Sequence, residues 1–309
     1  MKLVIQIPCY NEEAALGITL KALPKKIEGI DEIRILVIDN GSEDNTVEVA
    51  TQNGVKDFLV LQNNVGLAKA FLLGLSKSLE LGADIIVNTD ADNQYNGADI
   101  EKLVEPIIKA RADIVIGARP IEKIKEFSLV KKILQRLGSF VMRMVSSTSV
   151  TDATSGFRAF SRDAALQINI FDNYTYTLET IIQAKAKGLE IVSVPVKVNP
   201  ELRKSRLIKN NFDYIRRSIF TMIRMFIVYR PFRFFAIIAS LFLVPGILLG
   251  IRFLYFYFNH SGIGHIQSLI LAAILILAGI QVGLIAVLAD LLSINRKLLE
   301  DIQTRLKKD

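Results

Sequence analysis

Apolar positions in the first two hundred residues fall in short runs separated by longer stretches of mixed character. Leu3–Ile7, Ile33–Ile38, Phe58–Leu61, Ile85–Asn88 and Ile114–Ile116 read as strands. Between them, stretches such as Gly66–Leu79 and Ile100–Ala110 repeat their apolar residues at helical spacing. Strand and helix in alternation predict an α/β fold, a mostly parallel sheet with helices on both faces. Such sheets bind ligands beyond the C-terminal ends of their strands, so chemistry is expected there.

The pattern changes after residue 210. Asn211–Arg230 sets Phe212, Ile215, Ile219, Met222, Ile223 and Phe226 on one helical face and Asp213, Arg217 and Arg224 on the other. That is the pattern of a helix lying in a membrane interface, or of a helix seated on its own domain. Phe234–Ile251, continued past Arg252 by Phe253–Phe258, and then Ile266–Ala289 are uncharged runs. A membrane-spanning helix takes about 20 apolar residues, so both qualify, although a buried hairpin of a soluble domain reads alike. Arg216, Arg217, Arg224, Arg230 and Arg233 precede the first run, and Arg296, Lys297, Arg305, Lys307 and Lys308 follow the second. The link Asn259–His265 has no Lys or Arg, which predicts a multi-pass membrane protein with both flanks cytoplasmic and Arg252 snorkelling to the far interface. The expected organisation is a cytoplasmic domain over 1–208, an interfacial helix over 209–233, a transmembrane hairpin over 234–294 and a charged cytoplasmic tail over 295–309. Ala272, Ala273, Gly279 and Gly283 suit close helix packing, within the hairpin or between copies in a homo-oligomer.

Composition agrees with a membrane partner. The 309 residues are 51% hydrophobic, yet 38 Lys+Arg against 31 Asp+Glu leave a net charge of +7. Apolar and basic together favour a bilayer with anionic headgroups over nucleic acid. A single cysteine, Cys9, excludes an internal disulfide and reads as a small buried residue. Met1–Pro8 reads as a strand rather than a secretory signal. Neither a G-x-G-x-x-G fingerprint nor a P-loop is present. Both histidines, His260 and His265, fall in the link, so no Ser-His or Cys-His pair can form in the N-terminal domain. Chemistry there must run on carboxylates and cationic side chains, with or without a metal.

Four strand ends carry polar clusters: Pro8–Glu13, Ile38–Thr46, Asn88–Tyr95 and Ile116–Pro120. One such cluster is usually a capped turn, but several on successive parallel strands converge on one rim. In the third, Asp90 and Asp92 flank one alanine. Residues two apart in extended chain point the same way, about 6–7 Å apart, so both carboxylates can face one ligand. Hard oxygen donors there suit Mg²⁺ or Mn²⁺ shared with a substrate's phosphates, and such a cation would cancel their repulsion.

Taken together, these clusters resemble the family 2 glycosyltransferases of GT-A fold, most closely the polyprenyl-phosphate glycosyltransferases related to dolichol-phosphate mannosyltransferase. Pro8-Cys9-Tyr10-Asn11-Glu12 is similar to the opening P-x-Y-N-E of that family, and Ile38 to Thr46 to its V-D-D-G-S-x-D-x-T. Asp90-Ala91-Asp92-Asn93-Gln94 is similar to its D-A-D-x-Q, Gly117-Ala118-Arg119 to its G-S-R, and Asp152 to Arg158 to its D-x-x-S-G-F-R. A basic segment, Arg203-Lys204-Ser205-Arg206, closes the match, which runs in order from about residue 3 to 206.

The resemblance implies roles at these positions. Pro8, Tyr10, Glu12 and Asp39, with Asn11, Gly41 and Ser42 from the same motifs, would hold the nucleotide of a UDP- or GDP-hexose. Asp90, Asp92 and Gln94 would hold a Mg²⁺ or Mn²⁺ ion and the diphosphate. Arg119, with Lys131 or Lys132 nearby, would face the phosphate of a polyprenyl acceptor, and Arg203, Ser205 and Arg206 would close over the donor phosphates. A metal and cationic groups would stabilise charge building on the leaving oxygen.

The sequence departs from the family pattern in three places. Asn40 replaces a common second Asp, the Arg203–Arg206 segment is one residue short, and Gly156 stands where related lipid glucosyltransferases can carry Asp. A base is then to be sought in Asp152 or Glu179, or is unnecessary, since a phosphate monoester has a second pKa of about 6. Asp152 reads equally as a turn cap, Glu179 as a surface residue or a partner of Lys185, Arg158 as a substrate contact or a partner of Asp152, and Lys69 as a donor contact or part of a helix start. The expected function is inverting, metal-dependent transfer of a hexose to a dolichyl or undecaprenyl phosphate at the cytoplasmic face. The alternatives are a glycosyltransferase acting on a polysaccharide or other glycolipid, and a non-catalytic sugar-nucleotide-binding subunit. The missing Trp, and with it any Q-x-x-R-W motif, speaks against a processive polysaccharide enzyme.

Overall fold

The computed structural model describes residues 1–120, 150–170, 176–200, 216, 219–220, 223–224, 226–260 and 266–308. Lys131, Arg203, Ser205 and Arg206, and about half of the stretch expected to lie in the interface, are outside the described residues. The chain divides into two compact units, Met1–Met222 with Lys307–Asp309, and Ile223–Leu306.

The first unit is built on a seven-stranded sheet of β1 (Lys2–Cys9), β2 (Glu32–Asp39), β3 (Asp57–Val60), β4 (Ile85–Asn88), β5 (Ile114–Ala118), β6 (Arg158–Ser161) and β7 (Ile191–Pro195), in the order β3-β2-β1-β4-β6-β5-β7. All pairings are parallel except those of β6, which runs against both β4 and β5. The five expected strands are present to within a few residues. β6 and β7 were not expected. Reversal of β6 has a direct consequence for the site: its first residue, Arg158, is opposite Asn88 and Ile116, near the ends of β4 and β5. The segment leading into β6 therefore joins the rim where the parallel strands finish.

The helices α1 (Glu13–Ala22), α2 (Thr46–Gln52), α3 (Leu67–Glu80), α4 (Ile100–Ile108), α5 (Arg162–Gln167) and α6 (Thr177–Ala186) complete the described part of this unit. Leu3, Ile5 and Ile7 of β1 alternate onto one sheet face and form a core with Leu16, Leu20, Val87, Leu103, Val104 and Phe157. On the opposite face α3 crosses β1 and β2 with Phe71 and Leu75 fully buried. Helices thus cover both faces, as the alternation of patterns requires.

The second unit is a helical hairpin, α7 (Pro231–His260) and α8 (Ile266–Lys308). The charged tail expected as a separate element is the end of α8 itself. Both helices are long and apolar enough to cross a membrane, and only 11% and 17% of their most apolar windows are buried. A core hairpin of a soluble domain would be mostly covered, so the exposed Leu241, Leu248, Leu277 and Leu284 fit lipid instead. The two helices meet along small residues. Ala272, Gly279, Ala286 and Ser293 recur every seventh position of α8, and the alanines and serine among them are buried. A Cβ on Gly279 would sit 2.6 Å from Leu243 Cγ and 3.1 Å from Leu243 N, whereas one on Gly283 would meet nothing within 4 Å. The G-x-x-x-G pair is therefore split: Gly279 serves the hairpin and Gly283 faces outward. Gly279→Val is expected to destabilise the full chain in detergent by about 1–3 kcal/mol through overpacking. Gly283→Val is expected to be close to neutral, with thermal unfolding of the two variants as the check.

Candidate active site

Two strand-end loops are stitched into one surface. After β1 the chain reverses at Asn11, whose φ of 55° is a left-handed value that Asn tolerates. The Asn11 N–H donates to Ser42 Oγ at 2.9 Å, Glu12 N–H to Thr46 Oγ1 at 2.8 Å, and Glu43 N–H back to Asn11 Oδ1 at 2.8 Å. Buried Asp39 ends β2 and accepts from Ser42 N–H at 3.2 Å. Gly41 has φ 75°, and a Cβ there would lie 2.7 Å from the Asn63 carbonyl carbon, so this turn requires glycine. Asn40 is buried and occupied: its Nδ2 donates to Asn64 Oδ1 at 3.0 Å and its Oδ1 accepts from Val65 N–H at 2.9 Å. An aspartate could not donate to Asn64, which gives this departure from the common sequence a structural reason. Pro8 and half-exposed Tyr10 lie beside these loops, Lys69 is exposed on α3, and Cys9 is buried as expected.

The Asp90–Gln94 turn is held from three sides. Thr19 Oγ1 on α1 donates to the Ala91 carbonyl at 2.8 Å, fixing the residue between the two aspartates. Asn93 is left-handed at φ 58°, and Gln94 N–H donates to Asp92 Oδ1 at 3.0 Å. The segment after β7 then runs antiparallel to the turn, with Tyr95 bridged to Val198. Asn199 N–H donates to the Gln94 carbonyl at 2.9 Å and Asn199 Nδ2 to the Asn93 carbonyl at 3.0 Å. Arg203, Ser205 and Arg206 follow this anchor in the chain.

Beneath the turn lies a buried polar layer. Asn88, at the end of β4, accepts from Gln6 Nε2 at 3.0 Å and donates to the Gly156 carbonyl and the Tyr176 hydroxyl, both at 2.9 Å. Gly156 N–H donates to the Tyr95 hydroxyl at 3.2 Å. Tyr176 stacks on Phe71 with ring centroids 3.9 Å apart, and Tyr95 on Phe157 at 4.8 Å. The Gly156 peptide is thus fixed at both ends and passes close to Asp90: a Cβ there would sit 2.8 Å from the Tyr176 hydroxyl and 3.3 Å from Asp90 Oδ1. A side chain at 156 would press on the Asp90 carboxylate. Asn88, Tyr95 and Tyr176 were not singled out in the sequence, although an amide closing an apolar strand was a signal.

Burial, then the charge of Asp92, push the Asp90 carboxyl up to about 7, against the opposing pull of Arg119. Among the described residues no cluster of three or more His, Cys, Asp or Glu could hold a metal by itself. A pair of hard carboxylates, one strained by uncompensated charge, nonetheless fits a divalent cation whose remaining ligands are diphosphate oxygens and water.

Arg119 lies beside this pair, but its strongest contacts are to Asp152. Nε donates to Asp152 Oδ2 at 2.7 Å and Nη2 to Oδ1 at 3.1 Å, with a further bond from Nη2 to Thr154 Oγ1 at 2.9 Å. The two side chains are 8% and 1% exposed. Burial pushes the Asp152 carboxyl up, but Arg119 and the bonds from Thr154 outweigh it and hold it below the usual carboxylate range. A pairing of Asp152 with Arg158, one of the two readings open to that arginine, does not form. Arg158 is 0% exposed and donates to the Ser155, Thr177 and Ala153 carbonyls and to Thr180 Oγ1, and burial pushes it down to about 10. Those contacts leave it under the rim as a brace, away from solvent. Glu179 is likewise fully buried on α6, where Gln183 Nε2 donates to it at 3.3 Å, which overturns a surface position or a pairing with exposed Lys185.

Comparison with known proteins gives a consistent result. Residues 4–168 match the model of a family described as glycosyl transferase family 2. A UDP-N-acetylglucosamine–dolichyl-phosphate N-acetylglucosaminyltransferase of Methanococcus voltae is 33% identical over 62% of this chain and 83% of its own. An undecaprenyl-phosphate mannosyltransferase of Micrococcus luteus is 29% identical over 67% of this chain and 88% of its own. Among solved structures, glucosyl-3-phosphoglycerate synthase from Mycobacterium tuberculosis with Mn²⁺, UDP-glucose and phosphoglyceric acid superposes with a TM-score of 0.59 at 20% identity, covering 73% of this chain and 79% of its own. The last likeness is one of fold.

Proposed function

The chain belongs to glycosyl transferase family 2, and from that premise we propose that it moves a hexose from a nucleoside-diphosphate sugar to a polyprenyl phosphate at the cytoplasmic membrane face, with inversion and with a divalent metal. The observation that carries this reading is the Asp90–Asp92 turn, fixed on the strand-end rim beside Arg119, in a chain that also has two candidate membrane spans. The two relatives supply the acceptor class, since their names specify dolichyl and undecaprenyl phosphates.

Asp90 and Asp92 would hold the cation, which when bound supplies positive charge against the diphosphate leaving group. The loops carrying Tyr10, Asn11, Glu12, Asp39, Gly41 and Ser42 offer a rigid seat for the nucleoside. Arg119 would hold the acceptor phosphate. One of that phosphate's oxygens attacks the anomeric carbon as the bond to the diphosphate oxygen breaks, and a single displacement inverts that carbon. The acceptor's second pKa of about 6 leaves it anionic at neutral pH, so no protein base is required. This agrees with an Asp152 whose oxygens are already engaged. The basic stretch Arg203–Arg233, nine Lys/Arg against one Asp, would draw the domain toward anionic lipid.

The test is a membrane assay with radiolabelled UDP- and GDP-hexoses and a polyprenyl phosphate. Label is expected in the organic phase, and chelator is expected to abolish the transfer until Mn²⁺ or Mg²⁺ is restored. Label that stays aqueous with every donor would overturn the lipid acceptor, and full activity in chelator would overturn the metal.

A further inference from the structure

Asp152 has five donors on two oxygens. Oδ2 accepts from Arg119 Nε at 2.7 Å and from Arg119 N–H at 3.3 Å. Oδ1 accepts from Arg119 Nη2 at 3.1 Å, Thr154 N–H at 3.3 Å and Thr154 Oγ1 at 3.0 Å. Thr154 closes the ring, since its hydroxyl also accepts from Arg119 Nη2 at 2.9 Å. The guanidinium is thereby gripped along its Nε–Nη2 edge in the bidentate geometry that gives an arginine both charge and direction. Its remaining nitrogen, Nη1, has no acceptor among the described residues. The Arg119 charge is felt at both Asp90 and Tyr95, so the guanidinium belongs beside the acidic turn.

We propose that Asp152 is a positioning residue, which with Thr154 locks Arg119 so that Nη1 stands as a fixed donor for the phosphate oxygen of the acceptor. The proposal rests on the acceptor class above, but not on the lipid. It removes Asp152 from the candidates for a proton acceptor, because its lone pairs are spent on Arg119 and Thr154 and the pair is buried. It also explains why an arginine expected to meet substrate is almost wholly covered: rigidity is obtained by burying one edge of the guanidinium and sparing the other.

The experiment uses the full chain in detergent and a double-mutant cycle of Asp152→Asn and Arg119→Lys. Steady-state kinetics with the polyprenyl phosphate are paired with direct titration of farnesyl phosphate as a binding probe. Asp152→Asn is expected to raise the acceptor KM and weaken farnesyl phosphate about 10- to 100-fold, the usual cost of losing a group that orients another. The donor KM and the shape of the pH profile of kcat should stay as in the parent. The double variant should be no worse than the poorer single one, because both changes break one unit. Multiplicative effects would overturn the proposal, and so would a loss of kcat at unchanged acceptor KM with the acidic limb of the pH profile gone, which would mark a base. Should Asp152→Asn fail to fold, Thr154→Val removes the hydroxyl that seats Nη2 while keeping both charges, and the same KM split is expected. If the parent enzyme uses a phosphate acceptor other than a lipid and Asp152→Asn raises that KM, the lipid is discarded and the positioning role stands. Unchanged affinity for every phosphate acceptor discards the role.

Discussion

Asp90→Asn should abolish transfer and at the same time make the metal-free protein more stable at pH 8. Loss of one charge that holds the cation against the leaving group is expected to cost at least about 100-fold in kcat. The stability effect has the opposite sign from the usual carboxylate. Asp90 titrates at about 7 in the fold, against an ordinary value near 3.8. The fold prefers its protonated form, so its contribution is fully present below about pH 4 and is lost as pH rises through about 7. At about 1.4 kcal/mol per pH unit, the ionised side chain costs the metal-free fold on the order of a few kcal/mol at pH 8. Asparagine escapes that cost. Thermal unfolding in chelator should place the variant several degrees above the parent at pH 8, with the gap closing toward pH 4. Mn²⁺ should raise the parent's midpoint at pH 8 and leave the variant's alone. A variant that is less stable than the parent at pH 8 would refute the strained carboxylate, whatever its activity.

Arg158→Met should act on the fold rather than on substrate affinity. The resemblance suggested a substrate contact, but the guanidinium is fully buried and ties Ala153, Ser155 and Thr177 carbonyls to one point. Methionine fills much of the volume and satisfies none of them. Stranding several buried acceptors should cost about 3–5 kcal/mol, or roughly 10 °C in a domain of this size. The measurement is unfolding of the purified full chain together with donor KM. Unchanged stability with a raised donor or acceptor KM would return Arg158 to the substrate site.

Much of this molecule was legible because its signals are local. The first five strands announce themselves as compact apolar runs. The Asp90–Asp92 pair stood out because like charges two apart at a strand end demand a third party. The hairpin was visible in two long uncharged runs. What could not be read depends on contacts far apart in sequence. β6 is four residues long, opens with a charged residue and owes its direction to β4 and β5, so no local pattern marks it. Arg119 finds Asp152 across 33 residues, whereas the partner nearer in sequence, Arg158, is engaged elsewhere. Glu179 was open to a surface position as well as to a site role because nothing in its own helix reveals that α6 is buried almost all round. Asn40 looked like a lost ligand and is a tie between two loops.

The antiparallel bridge between Tyr95 and Val198 also dictates an order of events. A nascent chain grows from its N-terminus, and domains fold as their residues emerge. β3, β2, β1 and β4 can assemble early, but the aspartate turn that follows β4 must wait about a hundred residues for Asn199 to secure it. The residues made next lead into the first apolar helix, which starts at Pro231. The last clasp of the acidic turn is therefore synthesised ahead of the first candidate membrane span. A chain stopped at residue 198 would have all seven strands but an unsecured turn, and one stopped soon after 199 would have its turn clasped before the two apolar helices exist.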